Sequence, residues 1–250
     1  MAQFPNPIRS DNARFDSTRW SMVLAAGVRS SPDAAVALEQ LCASYWYPLY
    51  AFVRREGYQQ AEAQDLTQGF FATLLQRDDL RNVHPDKGRF RSFLLAALKN
   101  YLINEWDKAR AQKRGGGQTV LSLDFDSAES RLGTQPGDSS TAEVVFQRQW
   151  ALTLLANVQE QLKSDMSGNG RGDLYDALQP HLVGEPGAEK YTLLADRFGI
   201  TEAAVKMAMS RLRKRYRALL REEIAQTVSG EEEIDDEIRD LFEALRGPDS

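Results

Sequence analysis

Apolar residues recur along this chain at intervals of three and four for almost its whole length, the repeat of one helix face, and a period-two stretch occurs only at Thr119 to Phe125. A chain patterned this way cannot bury its apolar residues in a sheet, so the sequence predicts an all-α fold. Local signals then divide the helices. Ser17 or Thr18 caps a first helix ending near Gly27, and Ser31-Pro32 gives an N-cap and a first-turn proline to a second that reaches Glu56 and Gly57, bent at Pro48. Further helices are expected over 60–76 and 88–112. Gly115-Gly116-Gly117 stops the pattern, and residues 115–139, rich in Gly, Ser, Asp and Pro, read as a flexible linker. Beyond it, Ser140 with Glu143 forms a capping box for a helix over 141–164, a second helical group covers 172–227, and 231–246 reads as a short acidic amphipathic helix. The expected organisation is two helical domains, 1–114 and 140–228, joined by the linker 115–139 and followed by an acidic extension, 229–250.

Several function classes fall away on composition. A single cysteine, Cys42, cannot form an internal disulfide, and two histidines, His84 and His181, cannot build a His-rich zinc site, so no metal is expected. The chain has no Gly-rich phosphate loop and no nucleophile with a plausible base, which argues against an enzyme and against a cofactor. No apolar run approaches the ~18 residues of a membrane span, and polar and proline residues occupy Met1 to Phe15 where a signal peptide has its apolar core. The expectation is a cytoplasmic protein without membrane contact.

The net charge of -5 hides a segregation. Lys87 to Arg114 holds eight bases (Lys87, Arg89, Arg91, Lys99, Lys108, Arg110, Lys113, Arg114) against Glu105 and Asp107. Lys206 to Arg221 holds seven bases and no acid, whereas Glu222 to Ser250 holds eleven acids and two bases. Two separate basic helices in an acidic chain are the footprint of phosphate-backbone contacts, since each neutralised phosphate releases counterions.

The second basic stretch carries the sharper pattern. Leu193, Leu194 and Phe198 form the apolar stripe of a short helix, Gly199 tolerates a positive φ at the turn, Ile200 points to the core, and Thr201 caps the next helix. On that helix Val205, Met209, Leu212, Tyr216 and Leu219 make one apolar face, so Thr201, Glu202, Lys206, Ser210, Arg211, Arg213, Lys214 and Arg217 are the candidate DNA contacts of a helix-turn-helix. In the first basic stretch Phe90, Phe93, Leu94, Ala97, Leu98 and Tyr101 form the buried stripe. Arg89, Arg91, Lys99, Asn100, Asn104, Lys108, Arg110, Lys113 and Arg114 are the candidate contacts to opened DNA, with Tyr101 and Trp106 read as core or as base-stacking rings.

These segments resemble the sigma-70-type factors of bacterial RNA polymerase, extracytoplasmic-function (ECF) subgroup. Ala63-Gln64-Asp65-Leu66-Thr67-Gln68 followed by Phe70-Phe71 resembles the polymerase-binding part of sigma domain 2, and Gly88-Arg89-Phe90-Arg91-Ser92-Phe93-Leu94 with Lys99-Asn100 its promoter-melting helix. Leu194 to Arg217, with Phe-Gly-Ile-Thr-Glu-Ala-Ala-Val-Lys, resembles the helix-turn-helix of domain 4. The resemblance covers about 40–115 and 141–227. It implies a factor that docks on core RNA polymerase through Glu62, Asp65, Gln68 and Phe71, reads the minus-thirty-five element with the helix-turn-helix, and opens the minus-ten element with the melting helix.

The docking segment holds fewer acids than the family pattern, Glu62 and Asp65 standing beside Ala61, Ala63 and Gln64. Phosphorylation of Thr67 by a Ser/Thr kinase would add about −1.5 to −2 charges there. An anti-sigma regulator is a further expected form of control. The acidic extension is expected to fold back on the basic recognition helix as a phosphate mimic. The competing reading is a helix-turn-helix repressor or activator that binds DNA without polymerase. A helical adaptor using Tyr45-Trp46-Tyr47-Pro48-Leu49-Tyr50 as a partner surface competes with that run serving as bundle core.

Overall fold

The computed structural model describes residues 19–20, 32–76, 89–111, 123–133 and 140–246. Among these residues there are nine α-helices, one short 3₁₀ turn and no strand. In chain order they are α1 (Pro32–Arg55), α2 (Gln60–Gln76), α3 (Phe90–Ala111), α4 (Phe125–Gly133), α5 (Ala142–Gly168), α6 (Gly172–Val183), α7 (Tyr191–Phe198), α8 (Glu202–Ala225) and, after the turn at Glu231–Glu233, α9 (Ile234–Arg246). The all-α expectation holds for the described residues. No helix among them is long and apolar enough to cross a membrane. Most of the expected first helix, the glycine run 115–117, and Lys87, Lys113, Arg114 and His84 lie outside the described residues.

α1 begins on Pro32 with Asp33 in its first turn and ends on Arg54 and Arg55, charges that oppose the partial charges of the helix ends. It continues through Pro48. Tyr45, Tyr47, Leu49 and Tyr50 are all buried and Trp46 is half-buried, so the aromatic run is largely core. α5 carries the complementary stripe: Phe146, Trp150, Leu154, Val158 and Leu162 recur every four residues and are buried. α1 and α5 pack along each other, and at their centre the Trp150 indole N–H donates to the Tyr45 hydroxyl at 3.1 Å. The helices on either side of the expected linker therefore share a single apolar core.

The linker itself departs from expectation, because α4 lies inside it. Asp124 caps this helix by accepting from the Ser127 N–H at 3.1 Å. Phe125 packs edge-on against Trp46 and Tyr50, with centroids 5.5 and 5.1 Å apart, and Ala128 is buried. Glu129 accepts from Arg54 Nε at 2.7 Å and from the Tyr50 hydroxyl. Glycine, serine and aspartate dominate the average over 115–139, and that average conceals Phe125, Ala128 and Leu132 at spacings of three and four. The cap of α5 is also displaced by one residue: Thr141, not Ser140, accepts from the Val144 N–H.

The start of α3 is knitted to the end of α8. The Phe90 N–H donates to the Thr227 carbonyl at 3.0 Å, the Trp20 N–H donates to the Gln226 carbonyl at 3.1 Å, and the Trp20 ring lies 4.9 Å from Phe90 and 5.2 Å from Phe93. α9 then closes over α5 and α8, burying Ile234 and Leu241.

Candidate nucleic-acid interface

α7, a turn at Gly199 and α8 follow one another where a helix-turn-helix is expected. Gly199 has φ 63°, a left-handed conformation, and its N–H donates to Asp196 while that of Ile200 reaches back to Ala195. The Thr201 side chain caps α8 by accepting from the Ala204 N–H at 3.2 Å. Val205, Met209, Leu212 and Leu219 are buried and Tyr216 is half-buried, which fixes the face turned to the core. Two apolar residues expected inside are outside, Leu193 at 52% and Ile200 at 39% exposure. α7 has barely two turns, and Leu194 with Ala195 fills its narrow inward arc, leaving no room for a second row.

Lys206, Ser210, Arg211, Arg213, Lys214 and Arg217 all stand exposed on α8. Lys206 is steadied by Glu202 one turn earlier, Nζ to Oε1 2.6 Å, and Arg213 reaches the His181 carbonyl at 3.4 Å. Arg215 is held by Asp165 at 2.9 Å and Glu222 at 3.4 Å. Met207, absent from the sequence-based set, is 56% exposed on the outward face. Its position two residues beyond the buried Val205, a rotation of about 200°, was the signal that it points outward. An exposed thioether there suits apolar contact with a thymine methyl.

α3 divides into two parts. Its distal part is open: Asn100 and Asn104 are exposed, as are Ile103 at 59% and Trp106 at 54%, and Lys108 and Arg110 continue the helix. Trp106 stands at a cleft of about 510 Å³ whose other walls include Phe52, Tyr58 and Leu102, with Glu56 and Asp107 at the rim. Tyr101 instead packs against Phe70, 5.8 Å between centroids, and over Gly69, where any Cβ would collide with its hydroxyl. Burial, with the Glu105 charge adding to it, pushes the Tyr101 phenol up to about 12.

The proximal part of α3 corrects the expectation. Arg89 and Arg91 are not open to a ligand in this structure. Arg91 is 6% exposed, lies 4.5 Å above the Trp150 ring, and forms a fork with Glu237, Nε to Oε1 2.7 Å and Nη2 to Oε2 3.0 Å. Its Nη2 also reaches Asp240 at 2.6 Å, and its Nη1 donates to Gln147. Arg89 joins the same two acids, Nε to Glu237 Oε2 2.9 Å and Nη1 to Asp240. Burial opposes the Arg91 charge, but the Glu237 hydrogen bonds and the Asp240 charge prevail and hold the guanidinium above its usual range. Lys99 is paired with Glu143. The acidic extension thus docks on α3. Its contact with the basic helix α8 is confined, among the ion pairs found, to Arg221 with Asp235.

On α2, Glu62 and Asp65 are exposed and Gln68 is half-buried. Phe71 is fully buried and belongs to the core instead. Thr67 is also fully buried, and its hydroxyl donates to the Ala63 carbonyl at 2.7 Å, so a kinase cannot reach it in this conformation. Positions 67, 70, 71 and 74 fall on one helical face, and that face is turned inward.

Comparison with protein-family models, with curated proteins and with solved structures finds no match to this chain.

Proposed function

We propose that this protein is a transcription initiation factor of the sigma-70 type, similar to the ECF subgroup, that binds core RNA polymerase and directs it to promoter DNA. The observation that carries the reading is the helix-turn-helix: a two-turn helix, a left-handed glycine, a threonine-capped helix, and a row of exposed cationic and polar side chains opposite its buried stripe. An α-helix fits the major groove, where Lys206, Met207, Ser210 and Lys214 would meet base edges and Arg213 and Arg217 the flanking phosphates. The distal part of α3 supports the second half of the reading, since the exposed Trp106 ring offers stacking to an unpaired base and the exposed Asn100 and Asn104, on another face of the helix, offer hydrogen bonds. Glu62 and Asp65 supply what acid the polymerase-docking helix has.

Run-off transcription with core polymerase on genomic DNA tests the proposal. Initiation at defined starts that depends on this protein is the expected result. Tight, sequence-specific binding to duplex DNA that core polymerase neither needs nor improves would instead identify a helix-turn-helix repressor or activator.

A further inference from the structure

We infer that α9 is a displaceable cover over an anion cradle on α3, and that the ligand it keeps out is the phosphate backbone of single-stranded DNA; the inference deepens the proposed function and rests on it. The cradle is built from Arg89 and Arg91, which flank the buried Phe90 and converge on the same two carboxylates. Trp150 supports one guanidinium plane, and Gln147 accepts from its Nη1. Paired oxygens meeting a guanidinium fork is the arrangement a phosphodiester also presents. Glu237 and Asp240, three residues apart on one face of α9, fill the positions of those oxygens from within the chain.

Three features make this contact exchangeable. Asp240 is the outer acid, its side chain 35% exposed, whereas Glu237 is fully buried. A cleft of about 420 Å³ along the edge of α9, lined by Arg91, Gln147, Asp240 and Ala244 with Glu143 and Glu243 as further acids, opens on this outer side, so Arg91 and Asp240 border open space while α9 is still docked. α9 also has only 13 residues. An isolated helix of that length is marginal in water, so once undocked it would unfold and not return as a rigid body. Its outer face, with Asp235, Asp236 and Glu243 exposed, adds repulsion against a polyanion while it remains in place.

Single-stranded oligothymidylate binding by the folded protein, followed by fluorescence anisotropy across a salt series, tests the cover. Two altered chains are compared with the full one: a chain ending at Ser229, and the full-length variant E237Q/D240N, which keeps the apolar contacts of α9. Both are expected to bind at least tenfold more tightly than the unaltered chain, and with a steeper salt dependence, since each added phosphate contact raises the slope by about 0.7 on single strands. Replacing Arg89 and Arg91 by glutamine in either background is expected to abolish the gain. Unchanged affinity in folded altered chains, a gain that survives loss of both arginines, or failure of both altered chains to fold would each overturn the proposal. Run-off transcription separates the two readings. A gain in single-strand affinity without initiation by any form refutes the initiation factor and leaves the cover standing, while initiation without a gain does the reverse.

Discussion

Arg91 holds a full positive charge at 6% exposure, and four other residues are arranged around that charge. Its loss leaves Glu237 as a fully buried anion with Arg89 as its remaining cation. Arg91→Leu is therefore expected to lower stability by about 3–5 kcal/mol in urea unfolding, and adding Glu237→Gln should restore part of that loss by removing the uncompensated charge. Thr67 presents the opposite case, a hydroxyl whose single bond is made inside its own helix. Thr67→Val should change stability by less than about 1.5 kcal/mol, whereas Thr67→Glu places a carboxylate in an apolar core and should cost several kcal/mol. A stable, active Thr67→Glu protein would show that α2 can turn this face outward. On α8, Lys206→Ala is expected to weaken promoter binding by about 1–3 kcal/mol, roughly 5–150-fold, in gel-shifts with polymerase present. At this scale periodicity foretold the buried stripe of α8 and its exposed cations. It could not foretell which cations are taken: the acids that claim Arg89 and Arg91 lie about 150 positions away in sequence, and no local pattern reports a pairing of that range.

Helix boundaries followed from local chemistry where caps, prolines and glycines were distinct, as at Pro32, Gly199 and Thr201. α4 escaped because a nine-residue helix in polar surroundings contributes only Phe125, Ala128 and Leu132 to the apolar pattern, and its stability comes from tertiary contact. Its attachment to α1 is partly electrostatic and so depends on pH. The Arg54 hydrogen bond is the main cause holding the Glu129 carboxyl below the usual carboxylate range, with the Tyr50 hydroxyl adding to it against the cost of burial. A depressed carboxylate pKa stabilises the folded state above the unfolded value and loses that contribution as pH falls through the folded one. The melting temperature should therefore drop between about pH 5 and pH 3, and the drop should be smaller in Glu129→Gln. Equal drops in the two proteins would mean that Glu129 gains nothing from Arg54.

Across the whole molecule, the packing of α1 on α5 ties together segments that the Gly-rich stretch seemed to separate. Composition marks where a chain is irregular, and it is silent on whether the elements either side touch. The expected consequence is a single cooperative unfolding transition. A fragment ending at residue 114 would leave the α1 face around Tyr45 uncovered, and it should lack a cooperative melt by circular dichroism. Trp150→Ala, which removes the centre of that interface together with the indole bond to Tyr45, is expected to cost about 3–5 kcal/mol.

The shared core also sets a timetable for synthesis. Tyr45 and Trp150 are 105 positions apart, and Arg91 and Glu237 are 146 apart. A ribosome adding about 5–20 residues per second would leave the aromatic face of α1 without its partner for roughly 5–20 s, and Arg91 without its carboxylate for roughly 7–30 s. During that interval Tyr45 and the part of α1 that α5 later covers stay open to the surroundings. A ribosome that stops before Glu237 releases a product with both α3 arginines uncovered.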